Sequence, residues 1–174
     1  MIDQTIKENV LKPNNAFWVE NIIKARIAET IIKELFRSLG YEVYYYGMEN
    51  SVPALTNKLS RCEDETSLGI RRMPDLVVFD QNRKRSFYIE VKFKADGAYS
   101  KVELKENPYD SAFVVVVTKK HIKCLTVKEI KEGKKLRKYP DNYLGDRPEF
   151  EFSEEQREMI KSFCDYALKY YQCV

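Results

Sequence analysis

Long apolar runs, histidine, glycine-rich loops and clustered cysteines are scarce or missing in this chain of 174 residues, and each absence closes off a class of function. The longest apolar run, Ala112 to Val117, falls far short of the roughly 18 residues that a membrane-spanning helix needs. The opening stretch MIDQTIKENVLKPNN lacks the charged-then-apolar pattern of a signal peptide. A cytoplasmic protein with no membrane partner is therefore expected. Six glycines are present but none form a GxxxxGK[ST] loop, which argues against an ATP-driven motor or a kinase. Cys62, Cys124, Cys164 and Cys173 are scattered, with no CxxC and no accompanying histidine cluster, so neither a disulfide framework nor a zinc site is expected. The single histidine, His121, lies in a basic turn and would have to carry a His-dependent hydrolase alone. No internal repeat or low-complexity segment is present.

What is there describes one domain. Hydrophobic residues make up 44% of the chain, enough at this length to bury a core. The net charge of +3 is unevenly spread. From Lys119 to Lys138 nine Lys or Arg face only Glu129 and Glu132, whereas from Asp141 onward acids outnumber bases eight to four. A basic stripe of this kind suits either a phosphate backbone or a solvated face.

Hydrophobic periodicity predicts the elements. The first dozen residues read as a loose arm or a short helix ending at Pro13. Ala16 to Leu39 reads as a helix with Trp18, Ile22, Ala25, Ile32, Phe36 and Leu39 on one stripe, widened by Ala28, Ile31 and Leu35, and stopped by Gly40. The stripe places Glu29 in its middle, where an ionised carboxylate is costly unless it is paired or bound to a metal. A local ion pair with Arg26 or Lys33 is the alternative, worth only about 0.2–0.5 kcal/mol if exposed. Tyr41 to Tyr46 is a first strand. Gly47 to Met73 is long and polar, with a short helix around Val52 to Ser60. Ala112 to Thr118 is a strand covered on both faces, preceded by a crossover helix near Tyr99 to Glu106. Ile122 to Val127 is a fifth strand. Lys128 to Asp146 is a short helix and a loop, and Ser153 to Tyr171 is a final helix with Ser153 as its cap and Met159, Phe163, Tyr166 and Tyr170 on one stripe.

The centre of the chain is Pro74 to Lys92. Leu76, Val78, Phe87, Ile89, Val91 and Phe93 alternate at period two, so they share one sheet face and leave Asp75, Glu90 and Lys92 on the other. The polar break Gln81-Asn82-Arg83-Lys84 suits a turn, and a two- or four-residue hairpin loop centred there sets Asp75 directly opposite Glu90. Facing carboxylates about 4.5–5.5 Å apart at Cβ repel each other. A divalent cation between them removes the repulsion, and Mg²⁺ or Mn²⁺ suits oxygen ligands next to phosphate.

Pro74-Asp75 followed by Glu90-Val91-Lys92 on the next strand resembles the PD-(D/E)XK nuclease superfamily, the fold of restriction endonucleases and Holliday junction resolvases. The resemblance spans Arg26 to Val127. It implies an α/β, restriction endonuclease-like three-layer core over residues 16–127, with a mixed central sheet of about five strands in αβββαβ order. Residues 128–174 form a helical extension of the same single domain. It also implies a Mg²⁺ or Mn²⁺ site formed by Asp75, Glu90 and the Val91 backbone carbonyl, completed by Glu29 from the first core helix, with Lys92 positioning the attacking water and stabilising the phosphate. RIAETIIKELFRSLGYEVY looks like that helix and the strand after it. The function implied is metal-dependent phosphodiester hydrolysis, endonucleolytic and on DNA in preference to RNA.

Arg71, Arg72, Lys101, Lys105, Lys119, Lys120 and Lys123 are the candidate contacts to the nucleic-acid backbone. A homodimer fits the need for two sites to cut two strands, although no interface is legible in the sequence. Without the fold, Asp75 would merely cap a strand, and Glu90 and Lys92 would be a solvated pair. The rival functions are a non-catalytic nucleic-acid-binding or assembly domain on the same fold and, more distantly, a small α/β protein that binds another protein through tyrosine-rich surfaces.

Overall fold

The structure, a computed structural model, describes residues 13–55 and 58–172. The expected N-terminal arm and Cys173 lie outside the described residues. Five strands form one mixed sheet in the order β1 to β5: β1 (Glu42–Tyr45), β2 (Leu76–Asp80), β3 (Arg85–Phe93), β4 (Phe113–Val117) and β5 (Ile122–Thr126). All neighbours are antiparallel except β3 and β4, which run parallel. The helices are α1 (Pro13–Ser38), α2 (Met48–Ser51), α3 (Glu65–Arg71), α4 (Lys101–Leu104), α5 (Val127–Lys131) and α6 (Glu154–Tyr171). Among the described residues no helix is long and apolar enough to cross a membrane.

The sheet is covered on both faces because its strands alternate. Leu76, Val78, Ile89, Val91, Val115 and Val117 point to the face under α1 and α6, where they form the principal core. Val114, Val116 and Leu125 point to the other face and meet Leu104 of α4, Ile130 of α5, and Leu136. All five residues of β4 are buried, as its unbroken apolar run requires. The parallel pairing of β3 and β4 is made by a crossover that contains α4, shorter than the helix expected there.

The hairpin register follows the predicted one: Leu76 pairs with Ile89 and Asp80 with Arg85. Buried Asp80 locks the turn by accepting from the backbone N–H groups of Asn82 (3.0 Å) and Arg83 (3.1 Å) and from the Arg83 guanidinium (2.9 Å). Burial pushes its pKa up, yet the Arg83 bonds hold it below the ordinary carboxylate value.

Three expectations are corrected. The buried stripe of α1 is Ala28, Ile31, Ile32, Leu35 and Phe36, continued by Leu39 just past its end, while Trp18, Ile22 and Ala25 are exposed. The first half of α1 precedes every buried residue of the helix, and among the described residues its apolar side chains are not covered as the core ones are. Glu29 consequently sits on the flank of the stripe, its side chain 20% exposed. The long segment after β1 carries two 3₁₀ turns (Pro53–Leu55 and Leu59–Arg61) and then α3, which has too little apolar periodicity to be read from sequence and is started by Asp64 accepting from Ser67 N. In α6, capped by Ser153 as expected, the buried face is Ile160, Ala167 and Tyr171, whereas Tyr166 and Tyr170 are exposed.

Residues beyond Val127 also build the principal core. Phe150 is buried against the rings of Phe36, Phe87, Phe113 and Phe152, with centroids 4.8–5.5 Å away. The Tyr171 hydroxyl donates to Lys24 O (2.9 Å), tying α6 to α1.

Candidate active site

Asp75 immediately precedes β2, and the ladder carried one step past Leu76 and Ile89 sets it opposite Glu90. The residue is pinned from both sides. Its carbonyl accepts from Tyr46 N (2.9 Å) at the end of β1, and its side chain accepts from Val91 N on β3 (2.6 Å). Glu90 and Lys92 occupy the sheet face opposite Ile89 and Val91, beside Val114 and Val116 of β4. Lys92 Nζ lies 2.5 Å from Glu90 Oε1. The Lys92 side chain is 37% exposed and that of Glu90 15%.

The electrostatics of the group are those of crowded negative charge. Burial, followed by the Glu90 carboxylate, raises the pKa of Asp75 from its ordinary value to about 7, against the opposing pull of Lys92 and the Val91 N–H. Glu29 adds the weakest of these influences, coming from α1 on the other side of the sheet. Burial lowers the pKa of Lys92, but Glu90 and Asp75 outweigh it and hold the side chain above the ordinary lysine value. Glu90 and Asp75 thus favour the protonated form of Lys92. Glu29 is ion-paired with Arg26 at 2.8 Å, the local partner its spacing allowed, and Arg26 also senses Asp75.

Among the described residues no three Asp, Glu, His or Cys side chains are gathered in an arrangement that could hold a metal ion. Each acid is engaged with something else: Asp75 with the Val91 N–H, Glu90 with Lys92, and Glu29 with Arg26. Two facing carboxylates still fit Mg²⁺, which usually keeps several waters and takes one or two carboxylates along with substrate phosphate oxygens. The raised pKa of Asp75 comes first from burial and second from the Glu90 carboxylate, and a cation would relieve the second.

The basic candidates divide. Arg71 Nη2 donates to Cys62 O (2.6 Å) and so ties α3 to the segment before it. Arg72 stands close enough to Tyr99 to lower its pKa, and its Nε is buried without a partner. Lys101 and Lys105 are exposed, on α4 and just after it. Lys119 and Lys120 are exposed in the turn after β4, about 10 Å along the strand from the Lys92 level, with Thr118 Oγ1 accepting from Lys120 N (3.0 Å) and His121 N (2.7 Å). Lys123 is a correction: only 1% of it is exposed, and its ammonium donates to the carbonyls of Arg137 and Tyr139 and lies 3.5 Å from Asp141. Its place on β5 between buried neighbours turns it inward to hold the following loop, so it cannot reach a phosphate. His121 packs edge-on to Tyr143, and burial followed by Lys123 and Lys120 lowers its pKa, leaving it neutral at pH 7.

Tyr99 belongs to the site, although sequence reasoning does not single it out. It is buried, with paired backbone bonds to Leu136, and its loop passes through Gly97, whose φ of +68°, and the 3.0 Å at which an added Cβ would meet the Thr118 methyl, favour a residue without Cβ. Burial pushes the Tyr99 phenol up to about 12, with Lys92 opposing and Glu90 and Glu103 adding. It therefore stays protonated beside Lys92 and Glu90. Nothing in the local sequence marks this tyrosine among twelve. Tyr46, Tyr88 and Tyr109 form a second aromatic group on the Glu90 side of the sheet, with ring centroids 5.3 and 5.6 Å apart, and Tyr109 donates to Gly69 O (3.1 Å) to anchor α3. Cys62, Cys124 and Cys164 are free thiols. Searches of protein-family models, curated proteins and solved structures find nothing that matches this chain.

Proposed function

We propose that the protein is a metal-dependent nuclease of the restriction endonuclease-like class, hydrolysing phosphodiester bonds in DNA in preference to RNA. The observation that carries the reading is the facing pair Asp75 and Glu90, with Asp75 raised to about 7 and the partly exposed cation Lys92 beside them. The element order, with three antiparallel strands after α1 and a parallel β4 after a crossover, agrees with the αβββαβ order of that class.

Asp75 and Glu90, with the Val91 carbonyl, would hold Mg²⁺ or Mn²⁺, and Glu29, while paired with Arg26, would complete the shell through a water. Such an ion supplies Lewis-acid activation and a nucleophilic water at neutral pH. Lys92 binds a non-bridging phosphate oxygen and stabilises the charge that accumulates there, since both carboxylates keep it protonated. Tyr99 keeps its hydroxyl proton within electrostatic reach of Lys92. Lys119 and Lys120, exposed at the same end of the sheet, hold the backbone of the substrate and confer salt-sensitive, sequence-independent affinity.

The test is cleavage of single-stranded, duplex, nicked and branched DNA, and of RNA, with Mg²⁺ or Mn²⁺, beside Asp75→Ala and Lys92→Ala. Metal-dependent cutting that both variants lose supports the proposal. The second reading, a non-catalytic nucleic-acid-binding or assembly domain, is favoured by the engagement of every acid with an internal partner. Calorimetry separates the two: no heat of metal binding in the wild type, together with no cutting, would establish the non-catalytic reading.

A further inference from the structure

A groove of about 590 Å³ runs between α1 and α6, lined by Ile22, Ile23, Ile27, Phe163, Tyr166 and Tyr170. It is built from residues whose spacing resembles core, yet Ile23 is 45% exposed, Tyr166 49% and Tyr170 51%. One turn before Ile22, α1 continues with Phe17 and Trp18, 68% and 64% exposed. The exposed parts of these side chains amount to about 600 Å² of apolar surface, at the upper end of what a monomer tolerates in one patch.

We propose that this surface is the two-fold interface of a homodimer. Three observations select a second copy as the occupant. First, the area: a standard interface takes about 800 Å² from each partner, and this patch alone supplies about 600 Å² of it. Second, the shape: Phe17 and Trp18 stand on the part of α1 that precedes its buried stripe, and the groove from Ile22 to Glu34 is about 18 Å long, so each copy carries both a pair of exposed aromatic rings and an apolar slot. An isologous contact requires such self-complementarity. Third, the charge: the ionic residues lining the groove, Arg26 and Glu34, are already paired with Glu29 and Arg37 of their own helix, so two copies meet without net repulsion. Among the described residues that line the groove, a nucleic acid finds no unpaired cation. The inference does not rest on the nuclease reading, because no residue of the patch is among Asp75, Glu90 and Lys92.

Sedimentation velocity on the full chain should give twice the 20.6 kDa chain mass, and Ile23→Glu or Tyr170→Glu should weaken association by more than about tenfold without changing the circular dichroism spectrum. Trp18 is the only tryptophan, so its emission should move to shorter wavelength as concentration drives association and stay that of an exposed indole in both variants. A single-chain mass at every concentration, or emission from Trp18 that ignores concentration, overturns the proposal. A single-chain wild type whose groove binds an apolar dye only after deletion of residues 2–12 would overturn it in favour of the chain's own N-terminal segment. Loss of cleavage in Asp75→Ala with the dimer mass intact would show that the two proposals stand or fall separately.

Discussion

Replacing Asp75 by asparagine should make the metal-free protein more stable above neutral pH, although it removes a residue of the proposed site. In the unfolded chain an aspartate gives up its proton near 3.9, whereas in the folded protein Asp75 holds it to about 7. Between those values the folded state binds more protons than the unfolded one, so stability falls as pH rises. The contribution is fully present below the ordinary aspartate value and fully lost above about 7. Three pKa units at about 1.36 kcal/mol each set a ceiling of about 4 kcal/mol, and partial solvent contact at the site reduces this to about 2–4 kcal/mol. Asparagine keeps an oxygen for the Val91 N–H and carries no charge to repel Glu90. Urea unfolding with a chelator at about pH 5, 6.5 and 8 should show the wild-type midpoint falling with pH, the Asp75→Asn midpoint nearly level, and unchanged m-values. Mg²⁺ added at the highest pH should raise the wild-type midpoint and leave the variant's where it was. Midpoints that run parallel across the pH range, or a variant less stable than wild type at about pH 8, would refute the electrostatic reasoning.

Three other perturbations probe separate parts of the structure. Lys123→Met should cost about 3 kcal/mol in urea unfolding, because the carbonyls of Arg137 and Tyr139 lose their donor, while the affinity of the folded protein for nucleic acid should not change. Lys119→Ala with Lys120→Ala should do the reverse: stability within about 0.5 kcal/mol of wild type, and a salt dependence of DNA binding, measured by anisotropy, that is shallower by about one for each phosphate left without its lysine. Phe150→Ala should cost about 3–5 kcal/mol in thermal or chemical unfolding, since its ring fills the space between Phe36, Phe87, Phe113 and Phe152.

The parts of this protein that local pattern determines are legible in the amino-acid sequence by itself. The hairpin from Leu76 to Phe93 is one such part, because period-two alternation fixes the face and the turn at residues 81–84 fixes the register, which together set Asp75 against Glu90. The burial of Phe113–Val117 on both faces and the Ser153 cap of α6 are others, since each depends on neighbours within a few residues. Tertiary structure alone decided the rest. Helical periodicity shows that an apolar face exists and says nothing of where its partner ends, so Trp18 and Ile22 match the stripe of α1 and yet lie outside the core. A lysine in this basic stretch looks the same in sequence whether it faces solvent, as Lys119 in the preceding turn does, or turns inward as Lys123 does, because the carbonyls that receive Lys123 arrive from residues 137 and 139. Tyr99 and Phe150 reach their positions through contacts with residues tens of positions away, Leu136 for the one and Phe36, Phe87 and Phe113 for the other.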